Sequence, residues 1–127
     1  MANLDKLFGV HGMVFVVTGG GSGLGEMMAL ALDANGARQV FVLGRRKASL
    51  EKVAAKAANG RIIPVACDIA SKESLQKAVA SIEGQVPFVN AVVANSGVSG
   101  PFTGMPPRAA DAKIVEIQEQ FWNLAHE

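Results

Sequence analysis

The stretch that decides the fold reads Met13-Val14-Phe15-Val16-Val17-Thr18-Gly19-Gly20-Gly21-Ser22-Gly23-Leu24-Gly25. Its first five residues form an unbroken apolar run rich in valine, the pattern of a parallel strand covered on both faces. Glycines at 19, 20, 21, 23 and 25 follow, and then Leu24, Met27, Met28 and Ala31 recur at helical spacing. The local order is therefore strand, glycine loop, helix, with Gly36 ending the helix.

The same rhythm repeats downstream. Residues 39–43 give a second short apolar strand, and Leu50, Val53, Ala54 and Ala57 mark a second helix that stops near Asn59 and Gly60. Residues 61–67 make a third strand. Leu75, Ala78, Val79 and Ile82 make a third helix, with Ser71 as its N-cap and Gly84 as its stop. Residues 88–94 are the fourth strand. Alternating strands and helices with short joints argue for an α/β fold: a Rossmann-like, doubly wound parallel sheet of about four strands in the order 3-2-1-4. Pro64 supports that order, because proline gives the ladder no N–H and belongs on an edge strand.

After Asn95 the sequence turns loop-like, with Ser96, Gly97, Ser99, Gly100, Pro101, Gly104, Pro106 and Pro107 in quick succession. From Asp111 onward Ile114, Ile117, Phe121 and Leu124 form an apolar stripe beside Glu116, Glu119 and Gln120, so a final amphipathic helix is expected.

Bulk composition narrows the function. With 127 residues, 50% of them hydrophobic and 18% charged, the chain is expected to form one compact domain over residues 1–127. A formal charge of +1 supplies no field that would gather nucleic acid or an anionic membrane, so neither partner is expected. Cys67 is the one cysteine, which excludes an internal disulfide and fits a reducing, cytoplasmic setting. A metal cluster would have to rest on His11 and His126, so no metal is expected. The opening residues lack the continuous apolar stretch of a signal peptide, and no run approaches transmembrane length.

The glycine loop sits where a dinucleotide loop must sit, between a first strand and a helix. Glycines permit close backbone approach, while the free N–H groups and positive end of the helix attract a pyrophosphate. The spacing is G-x-x-x-G-x-G, wider than the strict G-x-G-x-x-G. The competing reading is a flexible turn without a ligand.

In a Rossmann unit the residue about 20 positions past the glycines meets the adenosine ribose, an acid favouring NAD and an arginine admitting the 2′-phosphate of NADP. Counting from Gly25 gives Arg45, flanked by Gly44 and Arg46, with no carboxylate at the end of the second strand. A phosphate would find two cations there, which favours NADP(H). The alternative is a solvated basic pair at a helix start. Asp68, directly after the third strand, has two readings: an acceptor for an adenine amino group, or a stabiliser of the approach to the third helix. Cys67 beside it reads as a small buried hydrophobe. Asn95 and Gly97 close the fourth strand, either lining the crevice where strand order reverses or making a plain turn.

Taken together, Thr18-Gly19-x-x-x-Gly23-x-Gly25, Gly44-Arg45-Arg46, Cys67-Asp68-Ile69 and Ala94-Asn95-Ser96-Gly97 resemble the N-terminal half of the short-chain dehydrogenase/reductase family, over nearly the whole chain. The resemblance implies that Ser22, Leu24 and Gly25 touch the pyrophosphate and ribose. It likewise gives Arg45 and Arg46 the 2′-phosphate, Asp68 the adenine and Asn95 the cofactor wall of the fourth strand. One departure lies at that strand, where the family shows Asn-Asn-Ala-Gly and this chain has Ala94-Asn95-Ser96-Gly97; the missing asparagine weakens a sheet-bracing hydrogen bond.

Family members reduce carbonyls or oxidise alcohols with a serine, a tyrosine and a lysine one helical turn beyond it. This chain has no tyrosine. Family chains are also about twice as long, so the chain is read as a homologue cut before its catalytic residues, with no catalytic residue of its own. A noncatalytic dinucleotide-binding or interaction module is the alternative. The apolar, uncharged fourth strand would then be an unprotected edge, through which self-association is expected.

Overall fold

The computed structural model describes residues 3–97. In chain order these form α1 (Leu4–Phe8), β1 (Val14–Thr18), α2 (Gly23–Ala34), β2 (Gln39–Gly44), α3 (Lys47–Ala55), β3 (Ile62–Ala66), α4 (Lys72–Glu83) and β4 (Ala91–Val93). The four strands are parallel and lie in the order β3-β2-β1-β4, as the alternation of elements and Pro64 indicate. Pro64 sits on the outer strand beside Val42, where its missing N–H costs no second ladder.

Side chains on a strand alternate between faces, and here both faces are buried. Val14 and Val16 of β1, Phe41 and Leu43 of β2 and Val65 of β3 pack with Ala78 and Ile82 of α4. Their neighbours Phe15, Val17, Val40, Val42 and Ile62 point the other way, against Ala29 of α2 and Leu50 and Val53 of α3. A one-residue slip of β1 or β2 would exchange these two sets, and full burial of each such side chain contributes about 1.5–3 kcal/mol. The continuous valine runs thus fix register as well as strand identity. Cys67 lies in the first cluster, 3% exposed, as a small hydrophobe.

The helix signals in the sequence are realised at α4, where the Ser71 hydroxyl accepts from Ser74 N–H and Gly84 closes the C-terminus. At α2 the helix ends at Ala34 and Gly36 takes a left-handed turn with φ of 91°. The second helix starts earlier than its apolar spacing suggested, at Lys47, and stops at Ala55. Asp33, fully buried in the last turn of α2, holds the next connection together. Its carboxylate accepts from Asn59 N–H and Arg61 N–H, both at 2.8 Å, while Asn59 Nδ2 donates to the Asp33 carbonyl.

Two elements differ from the sequence reading. The short α1 was not anticipated; Asn3 caps it by accepting from Asp5 N–H, and none of its residues is buried. The fourth strand pairs over Ala91–Val93 alone, instead of residues 88–94. Pro87 brings no N–H. Asn90 is occupied differently, since its N–H donates to the Val14 carbonyl and its Oδ1 accepts from Val14 N–H. These bonds anchor the entry of β4 to the start of β1 and delay the ladder. The helix expected over residues 111–127 lies outside the described residues. Among the described residues no helix is long and apolar enough to cross a membrane.

Candidate functional site

Because all strands are parallel, their carboxyl ends meet at one edge of the sheet. Thr18 pairs with Leu43, Gly44 with Ala66, and Val17 with Val93. Each strand then releases one predicted group onto that crest. Across it stand Asp68 after β3, Arg45 and Arg46 after β2, the glycine loop after β1, and Asn95 after β4. Cys67 N–H donates to the Gly44 carbonyl, and Gly20 N–H to that of Leu43, so neighbouring loops are tied to one another.

The centre of the crest is laced by Thr18 and Asn95. Thr18 Oγ1 accepts from the N–H groups of Asn95 (3.1 Å) and Ser96 (3.0 Å) and donates to the Val93 carbonyl. Asn95 Nδ2 reaches the carbonyls of Thr18 and Gly19 at 3.3 and 3.4 Å. Asn95 therefore serves as a brace between β1 and β4. Gly97 is exposed at the end of the described chain, and a Cβ there would meet nothing within 4 Å among the described residues.

The glycine loop is shaped by close approach. A Cβ at Gly25 would stand 2.1 Å from the Gly19 carbonyl oxygen, so the start of α2 lies directly on the turn leaving β1. Gly23 takes φ of 55°, a left-handed conformation that admits α2 straight after Ser22. Gly21 lies against Ser49 and Leu50, which brings the loop beside the first turn of α3.

Capping separates α2 and α3 from α1 and α4. Asn3 and Ser71 satisfy the first turns of α1 and α4 with their side chains. Ser22 at α2 and Arg46 at α3 make no side-chain cap. The first α2 amide with an acceptor is that of Glu26, leaving Gly23, Leu24 and Gly25 N–H without one among the described residues; Lys47 and Ala48 N–H are in the same state at α3. Such free amides at the positive end of a helix are what a phosphate requires. The first turn of α3 carries no acid, and Arg45 and Arg46 are exposed without a carboxylate partner among the described residues. Ser22 and Leu24 are exposed beside the free amides.

Asp68 makes the local contacts that one of its two readings calls for. Its Oδ1 accepts from Ala70 N–H and its own N–H donates to Ser74 Oγ, which shapes the approach to α4. The sequence reading missed Lys47 and Ser49, which also border the crest. The unbroken basic run Arg45-Arg46-Lys47 was a signal for the first; the contact of Ser49 with Gly21 had none. Among the described residues no three His, Cys, Asp or Glu side chains gather as a metal site.

A family model described as short chain dehydrogenase matches residues 13–122, spanning the strands, the glycine loop and the crest. The chain belongs to the short-chain dehydrogenase family. Short-chain dehydrogenase/reductase PhomF of Diaporthe leptostromiformis is 44% identical over 120 residues, covering 93% of this chain and 40% of the relative. Among solved structures, a short-chain dehydrogenase/reductase from Mycobacterium marinum superposes with a TM-score of 0.72 at 26% identity, over 93% of this chain and 46% of that one. A metagenomic short-chain oxidoreductase in complex with NADP gives 0.67 at 29% identity, over 78% and 47%. An NAD+-bound xylitol dehydrogenase gives 0.64 at 27%, over 72% and 35%. The chain spans about two fifths of the length of the curated relatives it matches. Of the last two solved structures one is thus in complex with NADP and the other with NAD+.

Proposed function

We propose that this chain is the cofactor-binding part of an oxidoreductase that uses NADP(H) on a carbonyl or alcohol. The observation that carries the reading is the pair of uncapped helix N-termini at one crest, with Arg45 and Arg46 at the second and no acid in its first turn. The free amides of Gly23, Leu24 and Gly25, with the Ser22 hydroxyl, hold the pyrophosphate. Arg45 and Arg46, with the first turn of α3, hold the 2′-phosphate; an NAD-binding site would place a carboxylate there. Thr18, Gly19 and Asn95 keep β1 and β4 together beneath the ribose, and Asp68, held by Ala70, faces the adenine end.

The nicotinamide supplies hydride transfer when bound. The chain's own residues bind and orient. With no tyrosine in the sequence, no local group matches the family's proton donor. Fluorescence titration with NADPH and NADH tests the reading. Saturable binding at least about tenfold tighter for NADPH, equivalent to roughly 1.4 kcal/mol, is expected. Equal affinities would remove the assignment of the arginines.

The outer edge of β4, an end strand of the sheet among the described residues, supports a second, smaller proposal. Among the described residues Val92 (64% exposed) and Phe88 (60%) are open on it, beside an apolar groove bounded by Leu75 and Val79 of α4. The 127-residue chain is expected to self-associate through this edge at concentrations on the order of tens of micromolar. Sedimentation velocity checks it, and a single monomeric boundary at those concentrations would count against it.

A further inference from the structure

Two Asn-Gly pairs, Asn35-Gly36 and Asn59-Gly60, both hydrogen-bond to Asp33, and the structure treats them differently. Asparagine followed by glycine is the pair most open to deamidation, because no side chain shields the glycine nitrogen. In that reaction Gly60 N attacks Asn59 Cγ, the new C–N bond closes a succinimide, and Nδ2 leaves as ammonia, carrying the amide proton by way of water. Water then opens the ring at either carbonyl to give aspartate or isoaspartate.

At residues 59–60 the nucleophile is free. Gly60 N–H has no acceptor among the described residues, nothing lies within 4 Å of where a Cβ would stand, and Ala58, Asn59 and Gly60 are all exposed to water. The bond from Asn59 Nδ2 to the Asp33 carbonyl, at 2.7 Å, holds the leaving nitrogen. At residues 35–36 the nucleophile is engaged: Gly36 N–H donates to the Asp33 carbonyl, Asn35 Nδ2 donates to that of Ala31, and the ring of His11 closes over Gly36.

We infer that Asn59-Gly60 is a deamidation site whose conversion releases the Asp33 clamp between α2 and β3. Asn59 N–H and Arg61 N–H each sit 2.8 Å from a different oxygen of one carboxylate, which fixes the spacing between those amides. Isoaspartate inserts a methylene into the main chain between them. Either product also replaces a donor facing the Asp33 carbonyl with an anion beside a buried one. The Arg61 carbonyl, which accepts from Val40 N–H at the start of the β2–β3 ladder, moves with them.

The test is incubation of the purified chain in mildly alkaline buffer at 37 °C, followed by tryptic mass mapping, which separates the two pairs at Arg38 and Lys56. The deamidation mass increment is expected at Asn59 at least about ten times faster than at Asn35, with the two rates converging in urea. The aged chain is expected to melt about 5 °C lower or more, and the Asn59→Ala chain to keep its initial Tm through the same incubation. Equal or faster conversion at Asn35 in the folded chain would overturn the inference, as would no conversion at Asn59 while the unfolded chain reacts. The same ageing loss in Asn59→Ala would overturn the link to the clamp.

Discussion

Replacing Gly25 by alanine is expected to remove dinucleotide binding and to destabilise the chain by about 3 kcal/mol. The added Cβ would lie 2.1 Å from the Gly19 oxygen, 2.8 Å from the Gly19 carbon and 2.7 Å from Asn95 Nδ2. Two of these atoms are backbone, and neither can swing aside as a long side chain would. The turn leaving β1 would have to move away from α2, and the brace from Asn95 to the Gly19 carbonyl would go with it. The free amides of Gly23, Leu24 and Gly25 would no longer converge. Gly97→Ala is the control, because its Cβ meets nothing within 4 Å; its effect is expected within about 0.5 kcal/mol. Urea unfolding midpoints for the two variants decide the matter. A Gly25→Ala chain as stable as Gly97→Ala would show that the close approach is not a constraint.

Asp33→Ala is expected to cost about 3 kcal/mol, for a different reason. Asp33 is 0% exposed and accepts two backbone N–H bonds from the connection into β3. Truncation leaves both part-buried donors without that acceptor; an unsatisfied donor costs about 1–3 kcal/mol when fully buried, so the two together are expected to cost about 3 kcal/mol. Asp33→Asn keeps one acceptor and turns an NH2 toward the other donor, so it is expected to fall between wild type and alanine. Hydrogen exchange should place the damage at Arg61 and Ile62 before it reaches β1. Destabilisation under about 0.5 kcal/mol in Asp33→Ala would mean that water replaces the carboxylate at no net cost.

These two positions mark how far the sequence could be read. Strands buried on both faces declare themselves as valine runs, and Ser71 and Gly84 bound α4 because capping chemistry is local. The fourth strand was misjudged since an apolar run does not reveal which of its residues pair; Asn90 spends its N–H and side chain on Val14. α1 is too short to leave a periodic signal. The crest was legible in outline, because parallel topology brings every strand's carboxyl end to one edge. Its internal wiring was not. Thr18 and Asn95 are 77 residues apart, and Asp33 and Arg61 28 apart; no local pattern announces such bonds. Asn59 and Gly60 read only as a helix stop, although the larger task of Asn59 is to meet Asp33.

The central claim is that Arg45 and Arg46, at an uncapped helix start without an acid, recognise the 2′-phosphate. The most direct measurement repeats the NADPH and NADH titrations on Arg45→Asp beside the wild-type chain. Loss of the NADPH preference, with NADH binding kept or improved and the urea midpoint unchanged, is the predicted result. An Arg45→Asp chain that still prefers NADPH to the same degree would contradict the account.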